Sequence, residues 1–134
     1  MIGLELAKKL KEAGLEWEPQ IGDMFYFKTF KDWGIDAINS EDVNNNLDET
    51  RDFIEEGFWI LAPRLDQLLA EIEKRGFIWA LDVSATNGNK VIGYAMNIAT
   101  SLDWEDEEEF RSDSPEEAAT EALLWICDRG ADRD

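Results

Sequence analysis

Histidine is absent from this 134-residue chain. That removes the commonest general base and the commonest transition-metal ligand. The single cysteine, Cys127, lies between Ile126 and Asp128. With no histidine to activate it, it reads as a partly buried structural thiol and not as a nucleophile. Carboxylates could still do acid–base work, as the paired acids of glycosidases do. With 31 Asp and Glu residues pairs are inevitable, and no pair is singled out by an apolar setting. Asp82 comes nearest, on a strand among apolar neighbours, but it reads better as an outward residue on a solvated face. No catalytic residue is assigned, and a small carboxylate-dependent enzyme is the third-ranked expectation.

Residues 44–55 have part of the spacing of a calcium-binding loop. Asn44, Asn46, Asp48, Thr50, Asp52 and Glu55 fall at its positions 1, 3, 5, 7, 9 and 12. The glycine that makes the sharp turn at position 6 is replaced by Glu49, and the apolar position 8 by Arg51. The turn fails, so no metal site is assigned. No glycine-rich phosphate loop is present either. No cofactor is expected.

Charge is the most informative property. The net charge is −18, and it is unevenly distributed. Residues 1–31 hold five acids and five bases, and residues 57–100 hold four of each. Residues 32–56 hold nine acids and one base, and residues 101–134 hold thirteen acids and three bases. Two neutral blocks thus alternate with two acidic ones. Direct nucleic-acid binding and binding to an anionic membrane are excluded, since both need cations. A basic protein partner fits the field. The expected contact residues are Glu41, Asp42, Asp48, Glu49, Asp52, Glu55 and Glu56 in the first block. In the second they are Asp103, Trp104, Glu105, Asp106, Glu107, Glu108 and Glu109. The competing interpretation is a solvated face with no partner.

The six tryptophans suggest a second function. Trp17, Trp33 and Trp104 lie in irregular segments and, with Tyr26, could stack on a nucleotide-like ligand. Arg51, Arg64 or Arg111 would meet its phosphates.

These residues need elements to position them. Ile2, Leu6, Leu10 and Ala13 fall on one stripe, which predicts a helix over 2–14 ended by Gly14. Met24 to Phe30 reads as a strand with apolar residues on both faces, covered on both sides or facing a partner. A homodimer is a further expectation from that strand. Residues 31–52 read as mostly loop, around Asn44-Asn45-Asn46, and Phe53 to Leu61 as a strand with a bulge at Gly57. Pro63 suits the first turn of a helix with Leu65, Leu68, Leu69 and Ile72 on its apolar stripe, closed by Gly76.

Asn87-Gly88 predicts a type I′ hairpin over 77–99. Its register would set Phe77 against Ile98, Trp79 against Met96, Leu81 against Tyr94 and Val83 against Ile92, all on one apolar face. Glu108 to Arg111 could add an edge strand. Ser114-Pro115-Glu116-Glu117 is a capping box opening a last helix to about Arg129, with Ala119, Ala122, Leu123 and Ile126 facing in. The expected fold is one α+β domain over 1–134. It has a mostly antiparallel sheet of four or five strands and about three helices packed on one face.

No apolar run is long enough to span a bilayer, no signal peptide opens the chain, and one cysteine cannot form an internal disulfide. The expected location is the cytoplasm. Two segments carry a resemblance: Trp59-Ile60-Leu61-Ala62-Pro63-Arg64-Leu65-Asp66-Gln67-Leu68-Leu69, and Ser114-Pro115-Glu116-Glu117-Ala118-Ala119 followed by Ala122-Leu123-Leu124-Trp125. Together with the leading helix and the hairpin, they make the chain resemble small uncharacterised proteins encoded by phages and prophages of Firmicutes. Those segments are structural, so no functional residue transfers. The resemblance implies an accessory phage protein acting on a host factor in the host cytoplasm. The leading expectation is therefore a non-enzymatic protein that binds and modulates or inhibits a basic host protein.

Overall fold

The computed structural model describes residues 1–132 as an α+β chain with two compact units, Met1–Pro63 and Arg64–Asp134. Residues 133–134, the end of the second acidic block, lie outside the described residues.

In the first unit the order is α1 (Leu4–Glu12), β1 (Met24–Lys28), β2 (Trp33–Ala37), α2 (Ser40–Asn44), α3 (Leu47–Glu55) and β3 (Trp59–Ala62). The three strands form one antiparallel sheet in the order β2-β1-β3. β1 is central because it is apolar on both faces. Phe25 and Tyr26 are buried, and the strand pairs Phe25 with Leu61 on one side and Tyr26 with Ile35 on the other. It has no free edge, and Phe30, expected within it, lies beyond its end and is exposed. Phe25, Ile38 and Leu61 form the core, with Trp17, Phe27, Val43, Ile54 and Trp59 packed against it. α1 buries Ala7 and Leu10, Ile2 is buried just ahead of it, Ala13, expected on the inner stripe, is exposed, and Gly14 takes the left-handed conformation (φ 87°) just past its end.

The segment read as loop is mostly regular structure. Asn39 opens α2 by a reciprocal cap: its side chain accepts from Asp42 N–H, and the Asp42 carboxylate accepts from Asn39 N–H, both at 2.9 Å. α3 continues through Phe53 and Ile54, so the strand expected over 53–61 begins only at Trp59. Gly57, read as a bulge, instead has φ 86° just past the helix end. The weak helix propensity of Asn and Asp hid these turns, and burial of Thr50 with partial burial of Phe53 and Ile54 stabilises them.

The second unit contains α4 (Leu65–Lys74), β4 (Ile78–Asn87), β5 (Lys90–Ala99), β6 (Glu108–Ser112) and α5 (Pro115–Asp132). Its antiparallel sheet has the order β4-β5-β6. α5 packs on β5 and β6, and α4 on α5 and β4. Ala119, Ala122, Leu123 and Ile126 are all buried, as the stripe implied. Ser114 caps α5 by accepting from Glu117 N–H at 3.1 Å. α5 runs to Asp132, beyond the end expected at about Arg129. Pro63 lies two residues before α4, not in its first turn.

The single sheet of four or five strands and the three helices are thus corrected to two three-stranded sheets and five helices among the described residues. The hairpin register is corrected as well. Asn87 pairs with Lys90, so Gly88-Asn89 forms the loop, and Trp79 faces Ile98, Leu81 faces Met96 and Val83 faces Tyr94. Positive φ at Gly88 (64°) and not at Asn89 suits a II′ turn, which needs glycine first. Over Ile78–Val83 the shift is by two residues, so those side chains keep their faces, and the register is irregular between Val83 and Thr86. The distal half of the hairpin does not enter the core: Val83, Val91 and Ile92 are exposed.

Candidate functional site

The first acidic block is organised by α3. At about 100° per residue, Asp48, Glu49, Asp52, Glu55 and Glu56 fall within roughly 120° of the helix circumference, all exposed. Thr50, Phe53 and Ile54 occupy the opposite side and hold the helix to the unit. Arg51 flanks the acidic face. Its Nε donates to Glu18 Oε1 at 2.8 Å and its Nη1 lies 3.8 Å from Asp48. The hydrogen bond to Glu18 raises the guanidinium pKa further. Glu41 is exposed on α2, whereas Asp42 is occupied as the cap of that helix. The helical backbone over Leu47–Glu55 also overturns the residual calcium-loop idea, since residues of a helix cannot wrap an ion. No cluster of metal ligands is found among the described residues.

The second block behaves differently. Asp103 accepts from Ser101 Oγ at 2.6 Å and from Glu105 N–H at 3.1 Å. Asp106 accepts from Thr100 N–H at 3.0 Å and from the Thr100 hydroxyl. These bonds hold both carboxyls below the usual aspartate range. The two acids thus serve their own loop, whose Trp104 is half-buried with φ 56°. Glu105, Glu107 and Glu108 are exposed, and Glu109 pairs with Arg111 at 2.7 Å.

A pH dependence follows with a definite sign. A depressed folded pKa means that the stabilisation is present above the unfolded value, about 3.9, and is lost as pH falls through the folded one. Carboxyl titration by NMR is expected to place Asp103 and Asp106 below ordinary aspartates. Thr100→Val should move Asp106 back upward and leave Asp103 unchanged. An Asp106 midpoint at or above the ordinary value would show that this loop is not tied by its own carboxylates.

The residues expected to surround a nucleotide-like ligand do not converge as a set. Tyr26 donates its hydroxyl to the Ile2 carbonyl at 2.7 Å and is buried, which raises its pKa. The Trp33 ring is flanked by the Lys8 and Lys28 ammonium groups, at 5.0 and 5.1 Å. Arg64, Trp104 and Arg111 belong to the second unit, where Arg64 lies 3.1 Å from Asp66.

Trp17 and Arg51 do come together. They line a cavity of about 540 Å3 within the first unit. Leu15, Trp17 and Pro19 come from the connection after α1, Ile54 and Glu55 from α3, and Trp59, Ile60 and Leu61 from β3. Lys11 lines it from α1 and donates to the Ile54 carbonyl and, at 3.4 Å, to that of Glu55. Trp59 stacks on Phe25, with ring centroids 4.2 Å apart. Trp17 Nε1 is buried without a hydrogen-bond partner among the described residues. Sequence reading missed Lys11 and Trp59. Lys11 meets its acceptors across 43 residues, a separation for which no local pattern gives a signal.

In the second unit, burial pushes the Cys127 thiol pKa up, which keeps it protonated. Asp82 is exposed on β4. No helix of the described residues is long and apolar enough to cross a membrane. No family model matches the chain, and neither a curated protein nor a solved structure matches it.

Proposed function

We propose that this chain is a non-enzymatic binding protein that docks on a basic partner protein through the acidic face of α3, and so modulates or inhibits it. In the phage setting implied by the resemblance, the partner is a host protein. The observation that carries this reading is the gathering of Asp48, Glu49, Asp52, Glu55 and Glu56 on one exposed helical face, with Arg51 confined to its flank. Clustered like charges on a rigid element make a field that a basic groove can complement, and screening should weaken the complex steeply.

The test is a pull-down from a bacterial lysate at about 50 and about 500 mM salt, where the Debye length falls severalfold. Three baits are compared: the wild type, a D48N/E49Q/D52N/E56Q variant, and a variant neutralised at four acids elsewhere. The wild type and the control should retain a basic protein at low salt only, and the α3 variant should lose it about tenfold. Retention at high salt, or undiminished retention by the α3 variant, sinks the proposal.

A second reading is favoured by the cavity lined by Trp17, Trp59, Lys11 and Arg51: a small-molecule binding protein with an aromatic pocket.

A further inference from the structure

We propose that the distal arm of the β4–β5 hairpin is a self-association surface, on which the free edge of β4 pairs antiparallel with β4 of a second copy. This is independent of docking through α3 and of the cavity. β1 is central and offers no edge for the dimer expected through it, whereas β4 ends its sheet with one side unpaired. Among the described residues, β4 makes no main-chain hydrogen bond outside its ladder with β5.

The arm has a physical reason to take a partner. β6 pairs with β5 only over Tyr94–Ile98, so residues 82–92 form a two-stranded ribbon. Every one of those residues is exposed, so neither face of the ribbon is covered. Such a ribbon is marginally stable in water, and further strands stabilise it. Its charges are Asp82 and Lys90 alone, beside the β-branched Val83, Thr86, Val91 and Ile92.

Free edges are commonly guarded by charge, proline or short length. β6, the opposite edge, is five residues long and carries Glu108, Glu109 and Arg111. β4 is ten residues long, with Asp82 as its one charge and no proline. Its one guard is the irregular register between Val83 and Thr86, which bends the strand but satisfies none of its outer groups.

A second copy is the occupant that these residues specify. Two-fold pairing about Ser84 sets Val83 opposite the partner's Ala85, and Asp82 opposite the partner's Thr86. No like charges face each other, and the Asp82 carboxylate meets a hydroxyl. The contact is isologous and closes at two copies. Two chains of net charge −18 thus meet along strands that carry one charge each.

Sedimentation equilibrium of the full chain, at about 50 and about 500 mM salt, tests this. A monomer–dimer equilibrium is expected, with a Kd between about 10 μM and about 1 mM, as for a small interface. Higher salt should tighten it severalfold by screening the repulsion between the chains. That sign is opposite to the one expected for docking through α3. V83K/A85K should weaken the dimer at least about tenfold, since lysine then opposes lysine across the edge. V83E/A85E should do the same, and mixing the two variants should restore association. In the wild type, amides of residues 82–86 should exchange more slowly as the protein concentration rises.

A chain that stays monomeric up to about 1 mM at both salts overturns the proposal. So does a dimer that V83K/A85K leaves intact, one that salt weakens, or a charge-swapped mixture that fails to associate. Should neither variant fold, the salt response and the concentration-dependent exchange of the wild type still decide.

Discussion

Phe25→Ala is expected to destabilise the chain by about 3–5 kcal/mol, the range for removing a buried aromatic ring. Phe25 is 4% exposed and sits on the central strand of the first sheet. It forms the core with Ile38 and Leu61, stacks on Trp59 and meets Phe27 at a centroid distance of 6.1 Å. Removing it leaves a void that strands hydrogen-bonded on both sides cannot close. The lost ring also frees Trp59, so the cavity wall loosens together with the core. Urea unfolding checks this through the midpoint at unchanged slope. A cost below about 1 kcal/mol would mean that the site collapses freely, and that the aromatic cluster does not hold the unit together.

Gly34→Ala tests the same cluster from the neighbouring strand, and the sign of its effect is the informative part. On backbone entropy alone, replacing a strand glycine by alanine stabilises by roughly 0.5–1 kcal/mol. Here Gly34 is the cross-strand partner of Phe27, and the Phe27 ring lies over it. An added Cβ would fall 2.3 Å from Phe27 Cζ. The ring must move, yet it is packed against the core. The expected result is a loss of about 1–3 kcal/mol, as for other overpacked sites. In a Phe27→Leu background, where no ring covers the glycine, Gly34→Ala should be neutral or stabilising. That reversal in a double-mutant cycle isolates the steric contact from strand propensity. If Gly34→Ala is equally harmful in both backgrounds, the ring is not the cause.

The two variants also separate the candidate functions. Docking through α3 needs only the helix face and should survive a modest loss at Gly34. Ligand binding in the cavity needs the wall that Phe25 supports through Trp59. A folded Phe25→Leu variant that keeps salt-dependent capture and loses small-molecule binding in the cavity would assign the two activities to different surfaces of one unit.

Legibility followed the range of the interactions. α4 and α5 were readable because their stripes, Leu68 and Ile72 in one and Ala119, Ala122, Leu123 and Ile126 in the other, are buried as their spacing requires. β1 and β6 were readable for similar local reasons. α2 and α3 were not, since Asn and Asp oppose helix formation locally and only packing of Thr50, Phe53 and Ile54 overrides them. The hairpin shows both cases at once. Side-chain alternation keeps Trp79, Leu81, Met96 and Ile98 on one face, because a two-residue shift preserves it, but the irregular register between Val83 and Thr86 was not legible, and turn chemistry alone could not choose between Asn87-Gly88 and Gly88-Asn89.

By itself the sequence determined the α+β class, the acid-rich blocks, the absence of histidine chemistry and the stripes of the long helices, all of which depend on composition or on neighbours a few residues apart. Only the tertiary structure decided that the strands divide into two sheets and that five carboxylates share one face of α3. It alone brought Lys11 to the carbonyls of Ile54 and Glu55 beside Trp17. Those arrangements join segments tens of residues apart, where burial and hydrogen-bond satisfaction outweigh local preference.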